Sequence, residues 1–393
     1  METLPAKKPI PIIGMGAVSC AGVGVAAGKE AVFEGRDCLA PLSIFETGLK
    51  VPPLCGQVLD LPKEFAGPNK TASLALCAAN EAMGGVRNRR SGLTLGFVVA
   101  TTVAGMTRSE LFYKAYKADA AAIANAGEEL SFHEPAALSG FLCEKFKGNG
   151  FHTLSTACST GIHAVGMAKR LVENNVYDLC CAVGSDALSI LTLRGFSSLM
   201  LIDPSGCKPF DKRRAGISLG EGAGAMLVAS EKAAESLGAV PVGYICGWGA
   251  SADCHHMTAP HPHGLGAQKA VRAALDEAGI APRDIPMIAT HGTATPDNDA
   301  AEIIAMKEIF GAVPAFCSMK RTLGHTLAAS GILEAVFAVC AMRDGLVPRT
   351  GGFGQIDEAI GLAPQGRRGA AVGRCLKNSF GFGGNNAAAV FSL

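Results

Sequence analysis

Apolar runs too short for helices alternate along the chain with longer segments of helical spacing, and no other feature restricts the fold as strongly. The runs are PIPIIGMGAVS at the start, GLTLGFVVATT (Gly92–Thr102), DLCCAVGSDA, GAGAMLVAS, PVGYICGWGAS, IPMIATHG, AFCSM and RCLKNSFGFGGNNAAAVFSL at the end. Between them the spacing predicts helices over Thr71–Gly84, Ser159–Glu173, Gly266–Ala278, Ala300–Phe310 and Leu327–Arg343. Strands apolar throughout, rather than on alternate residues, must be covered on both faces, so the pattern predicts an α/β protein with helix-covered sheets. A hydrophobic fraction of 49 % against 18 % charged residues supplies a large core and excludes disorder.

The pattern repeats coarsely. Each half reads as a strand, a helix, further strands and a final hairpin-like pair, with a seam near Ala239–Pro241. This predicts two units, 1–240 and 241–393. The stretch 106–150, of mixed polarity, reads as a cap inserted in the first. Lys plus Arg is 35 and Asp plus Glu 34, so no global field favours nucleic acid or an anionic membrane. No uninterrupted apolar window is long enough for a membrane span, and the N-terminal residues lack the apolar stretch of a signal peptide. Together with fourteen cysteines, many in apolar runs such as Cys180–Cys181, these features predict a cytoplasmic protein with reduced thiols.

Three segments could carry chemistry. In LSTACSTGIHAVGMAKRLVENN a strand ends at Leu154–Ala157 and Cys158 opens a helix with apolar residues Ile162, Val165, Ala168 and Val172 on one face. A thiol at a strand-to-helix corner is exposed to reagents and meets the positive end of the helix dipole, which favours thiolate and an acyl oxyanion. Most of the other cysteines read as small buried hydrophobes. His291, just past IPMIAT, and His325, between a strand and a long apolar helix with Lys320 five residues before it, lie at strand ends, where α/β sites gather. A lone histidine is more often structural, but this pair beside a helix-capped cysteine suits hydrogen bonding to an enolate. The loop NSFGFGGNN, with Gly381, Gly383 and Gly384, could aim the N–H of Phe380 at an oxyanion, though spacing alone favours a plain hairpin.

These residues fall in five motifs: TACSTGIHA, KPFDKRRAGISLGEGAGAMLV, HGTATPDNDAAE, MKRTLGHTLAASG and NSFGFGGNN. In that order, across nearly the whole chain, they resemble the elongating β-ketoacyl-acyl-carrier-protein synthases of the thiolase superfamily. The resemblance implies two similar βαβαβαββ halves in an αβαβα layering. It implies Cys158 as acyl-accepting nucleophile, and His291 and His325 as the pair at the malonyl carbonyl. Lys320 would organise the second histidine, with Glu302 as its acidic neighbour and Asp299 in support. Phe380 would be the gating aromatic whose N–H joins that of Cys158 in the oxyanion hole, and Thr293 and Thr295 would contact pantetheine. The expected partners are an acyl-carrier protein, which brings its own phosphopantetheine, and a second subunit, either a copy or a chain-length-factor-like homologue. No metal or redox cofactor is expected.

The chain departs from the family pattern at TPDND before Asp299, at Asn385 where Thr is common, and in the cap segment, leaving acyl specificity and the pairing partner open. A chain-length factor would lack the nucleophile, a thiolase would carry a second catalytic cysteine where SFGFGG stands, and an initiating synthase would show Cys-His-Asn. GMGAVS lacks the third glycine of a dinucleotide loop, with Ser19 in its place. His255, His256, His261 and His263 match no standard zinc spacing.

Overall fold

Two of the Gly-x-Gly pairs in the sequence, Gly14/Gly16 and Gly247/Gly249, show how the chain duplicates itself. In the computed structural model each pair lies inside the first strand of a half, not in a phosphate-binding turn. A Cβ at Gly14 or Gly16 would collide with the carbonyls of Ala82 and Ala78, and one at Gly247 or Gly249 with those of Ala274 and Ala270. Glycine in the strand and alanine in the helix let a helix lie almost in contact with the sheet at equivalent places in both halves.

The structure describes residues 8–119, 127, 130–369 and 372–393. The first seven residues, part of the segment on which the absence of a leader was read, lie outside this set, as do residues 120–126, 128 and 129 of the expected cap. The first half contains β1 (Ile10–Ser19), α1 (Val25–Glu34), α2 (Lys70–Met83), β2 (Leu95–Ala100), α3 (Met106–Ala118), α4 (Pro135–Lys145), β3 (Gly150–Leu154), α5 (Thr160–Glu173), β4 (Leu179–Asp186), α6 (Ile190–Ser198), β5 (Gly222–Ala229) and α7 (Glu231–Ser236). The second contains β6 (Gly243–Ala252), α8 (Leu265–Ala278), β7 (Met287–Ala289), α9 (Pro296–Phe310), β8 (Ala315–Cys317), α10 (Ser330–Arg343), β9 (Arg374–Gly381) and β10 (Asn385–Ser392).

The strand order is β1-β5-β4-β2-β3 in one half and β6-β10-β9-β7-β8 in the other, the same permutation twice. The senses agree as well. The first two pairings of each half are antiparallel and the last two parallel. The halves join where Ile10–Ile12 of β1 pairs antiparallel with Gly243–Ile245 of β6.

Helices α5 and α10 occupy the middle layer and touch strands of both halves; α2 and α4 cover the outer face of the first half, α8 and α9 that of the second. This is the five-layer thiolase-like arrangement. It explains why α10 has no polar face: Ser330 to Met342 are all buried. A helix apolar all round belongs inside. The middle helices cross at glycines. A Cβ on Gly161 would lie 2.7 Å from the Ala328 carbonyl oxygen, and one on Gly331 2.8 Å from the Ile162 nitrogen. That close crossing brings the N-terminal ends of α5 and α10 together, and with them Cys158 and His325.

Candidate active site

The turn before α5 is held in a conformation few residues adopt. Ala157 has φ 52°, in the left-handed region. The strain is offset by local bonds: the Ser159 hydroxyl donates to the Thr156 carbonyl, the Thr160 hydroxyl donates to Ala157 O, and Ser379 Oγ of β9 donates to Cys158 O at 3.0 Å. The helix begins at Thr160, so Cys158 stands two residues ahead of it, on the corner rather than in the first turn. Burial pushes its thiol up to about 12. Lys320 opposes this, Asp186 reinforces it, and the N–H groups of Phe382 and of Cys158 itself favour thiolate. Resting Cys158 is therefore a thiol: desolvation outweighs the helix end from which the sequence reading expected thiolate.

His291 and His325 share the cleft floor with Cys158, their ring centroids 5.4 Å apart. Both are held well below the usual imidazole range, first by burial and then by nearby Lys320, so both are neutral near pH 7. For His325 the bonding also gives the tautomer. Its Nδ1 accepts from the Leu327 N–H (3.3 Å) and lies 3.0 Å from Ser330 Oγ. A backbone N–H can only donate, so Nδ1 is bare and Nε2 carries the proton, free to be presented to a ligand. Leu327 has φ 51°, and Ala328 N–H is pinned to buried Asp186 at 2.9 Å. Asp186 also accepts from Thr101, Thr102 and Val103. This positioning carboxylate escaped the sequence reading because it sits within an apolar strand, where only its charge marked it.

The carboxylates behind the histidines are arranged differently from the expectation. Glu302 is not the neighbour of Lys320. It accepts the backbone N–H groups of His291 and Gly292, each at 2.8 Å, and the Asn378 amide at 3.1 Å. Lys320 pairs with Glu334 on α10 (2.6 Å) and donates to the His291 carbonyl at 2.9 Å. Helix periodicity explains the difference: Glu334 lies one turn into α10, on the side facing the Lys320–Leu323 turn, and its charge inside an apolar helix was the available signal. Asp299 accepts from Phe210 N–H (2.7 Å) and Ala294 N–H (3.1 Å), stapling the KPFD and HGTAT segments together. Burial raises both Glu302 and Asp299 above the usual carboxylate range.

Phe380 likewise differs from the expectation. Alternation along β9 sends Lys377 and Ser379 toward the middle helices, and Asn378 and Phe380 toward α8 and α9. Phe380 packs with Ala267 and Ala305, its ring 5.8 Å from that of His291. The N–H at the Cys158 sulfur belongs to Phe382, whose ring lies on Phe196 with centroids 5.5 Å apart. Phe382 is the residue with glycine on both sides. Gly381 fits tightly beneath it: a Cβ there would lie 2.9 Å from Thr156 O and 3.1 Å from Cys158 N.

The cleft is lined by Cys158, both histidines, Thr293, Thr295, Phe196, Phe380 and Phe382, among others. Thr293 and Thr295 lie side by side, hydroxyls 3.1 Å apart, and Thr295 caps α9. The TPDND segment thus opens that helix, with Pro296 in its first turn. Of the loop histidines, His255, His261 and His263 stack at 5.0 and 5.8 Å near the mouth. Among the described residues no group of three His, Cys, Asp or Glu side chains is arranged to hold a metal ion. Nor is any described helix long and apolar enough to cross a membrane.

A cornered cysteine facing two neutral histidines, in a duplicated five-layer α/β fold, defines a thiolase-like condensing enzyme. The chain belongs to the β-ketoacyl synthase family: residues 7–234 match the model of its N-terminal domain and 242–353 that of its C-terminal domain. It is 31 % identical to 3-oxoacyl-[acyl-carrier-protein] synthase 2 of Coxiella burnetii, over 98 % of this chain and 99 % of that one. Among solved structures it is similar to the ishigamide ketosynthase/chain length factor, with TM-score 0.91, 26 % identity and coverage of 98 % and 99 %. It is also similar to the ketosynthase ApeO in complex with its chain length factor ApeC from Xenorhabdus doucetiae, with TM-score 0.83, 27 % identity and full coverage of both chains.

Proposed function

We propose that the chain is an elongating condensing enzyme that joins an acyl thioester to malonyl-acyl-carrier protein, with Cys158 as nucleophile. The observation that carries this reading is the meeting of Cys158, His291 and His325 on one cleft floor. Cys158 sulfur attacks the acyl carbonyl and the carrier thiol leaves with the cysteine proton. The N–H groups of Cys158 and Phe382 receive the oxyanion. Malonyl thioester then enters along Thr293 and Thr295, its phosphopantetheine arm belonging to the carrier. The two imidazoles donate to its carbonyl while the carboxylate departs as CO₂, leaving the bond electrons as an enolate. The enolate carbon attacks acyl-Cys158, expels the cysteine sulfur and releases a β-ketoacyl thioester two carbons longer. A neutral imidazole suits this step because it donates without surrendering its proton, so the enolate survives to attack carbon. Carrier-bound substrates go with a cytoplasmic site of action.

The test is acylation and condensation with defined acyl- and malonyl-carrier substrates. Cys158→Ala abolishes both while the protein still folds; condensation at the wild-type rate by that variant refutes the assignment.

A second reading concerns the partner. Both structural relatives described above are named with a chain length factor, and among the described residues β3 ends the sheet with an unpaired edge. The chain would then work beside a homologous subunit in polyketide-type elongation with the same chemistry. Light scattering on the chain alone separates the readings: a homodimer supports the first, and a monomer that condenses only with an added homologue supports the second.

A further inference from the structure

Lys377 is fully buried in β9, directly behind the histidines, and the mechanism above gives it no task. Its Nζ donates to the carbonyls of Thr290 (2.9 Å) and Asn378 (2.7 Å). It also lies 2.6 Å from Glu334 Oε2, a contact between charges rather than a well-aligned hydrogen bond. The other oxygen of Glu334 is held by Lys320 at 2.6 Å. One carboxylate therefore bridges two buried lysines. Those lysines grip consecutive carbonyls, Lys377 that of Thr290 and Lys320 that of His291, while Glu302 accepts the His291 and Gly292 N–H groups.

We propose that Lys377 is a second positioning cation of this site. Together with Lys320 it fixes the backbone of His291, and it leaves the Lys320–Glu334–Lys377 cluster with one net positive charge under the two imidazoles. The inference rests on the condensing function proposed above, because it concerns how that site keeps its histidines neutral. The charge count is simple: Lys320, Lys377 and Glu334 sum to +1, and removal of Lys377 brings the sum to zero. A cation at that place opposes imidazolium and attracts the enolate. Without it the histidines charge at higher pH. For His325 the added proton would fall on Nδ1, against the Leu327 N–H, and the imidazolium could hand a proton to the enolate carbon, giving acetyl thioester in place of condensation product. The other titratable groups around Lys377 are Glu302 from α9, Cys317 from β8 and Cys375 from its own strand. Buried thiols add no charge near neutrality. Burial, then Lys320, then Lys377 depress His325; at His291 the second imidazole adds its share ahead of Lys377.

The experiment follows imidazole ¹⁵N signals of the free enzyme from pH 8 down to the lowest pH at which the fold persists, with the product ratio at pH 6 measured in parallel. In K377M the His291 and His325 midpoints rise by on the order of one pH unit, and the acetyl fraction at pH 6 rises several-fold. K377R keeps the wild-type titration. K377M/E334Q restores the count to +1 and returns the titration toward wild type, although it has lost more contacts than either single change. If K377M does not fold, this double variant, which removes the ion pair as a unit, still decides: wild-type-like neutral histidines at pH 6 support the proposal. Unchanged midpoints in K377M, or charged histidines in the double variant, overturn it. The titration needs no substrate, so a failure of the proposed condensation would show in the product assay alone.

Discussion

Cys158 combines two opposed demands. It must be reactive, yet the cleft that excludes water from an enolate also desolvates the thiol. Burial prevails in the resting state, with the thiol raised to about 12. A group raised this far is protonated at all ordinary pH, so its thiolate fraction grows tenfold per pH unit up to that value. Alkylation of Cys158 by iodoacetamide, located by mass spectrometry to separate it from exposed Cys254, should climb through pH 9 without levelling. A plateau near pH 7 would show that the thiolate is stabilised before substrate binds. The two phenylalanines of NSFGFGG separate in the same way. Phe382→Ala keeps the backbone donor and removes a ring at the cleft. It should retain acylation and raise decarboxylation of malonyl-carrier in the absence of primer, measured as CO₂ release. Phe380→Ala empties a packed position beside His291 instead, at a cost of about 3–5 kcal/mol, and should lower the melting temperature. Equal thermal losses and no primer-free decarboxylation in either variant would remove the distinction.

Among the elements, α5 and α10 do the most to assemble the site, because their close crossing sets the distance between the cysteine corner and the His325 turn. Gly331→Val places branched carbons against the Ile162 backbone, where even a Cβ is 2.8 Å away. Overpacking of this kind costs typically 1–3 kcal/mol, and here it also spreads the two turns. Condensation should fall further than the loss of thermal stability accounts for, as assayed well below the melting temperature; activity in proportion to folded fraction would contradict this. Apart from β3, the strands were legible because they are continuously apolar, and α5, α8 and α10 because their lengths and spacings are helical. The cap helices α3 and α4 were not, since their faces are mixed and α3 buries only Ser109 among its residues. Within the site, Cys158, His291 and His325 were legible from their places at element ends. Glu334 was not, because its partner is set by which face of α10 meets the Lys320 turn, and Phe382 was passed over for Phe380 because the choice depends on strand alternation into a bend.

At the scale of the whole molecule, the duplication leaves the halves with two outer edges, β3 and β8. Edge β3 runs Gly150–Leu154 without Asp, Glu, Lys or Arg, with Phe151 44 % exposed. An uncovered strand of this kind is a template for another chain, and natural monomers usually protect it with charge, proline or a bulge. None of these is present in β3, and elsewhere in the cap α3 exposes Leu111 and Tyr113. Pairing across β3 would extend the sheet, cover Phe151 and bring a second subunit against the strand that leads into the Cys158 turn. Phe151→Lys puts a charge where the strands would meet. In the homodimer of the first reading it should shift the purified chain from dimer to monomer by light scattering while far-ultraviolet circular dichroism stays unchanged, since Phe151 contributes little to the core of its own subunit. Condensation should fall with the dimer, and raising protein concentration should recover part of it, because association follows mass action. A variant that remains dimeric at micromolar concentration would move the interface away from β3, and one that is monomeric yet fully active would show that the cleft is complete within one chain.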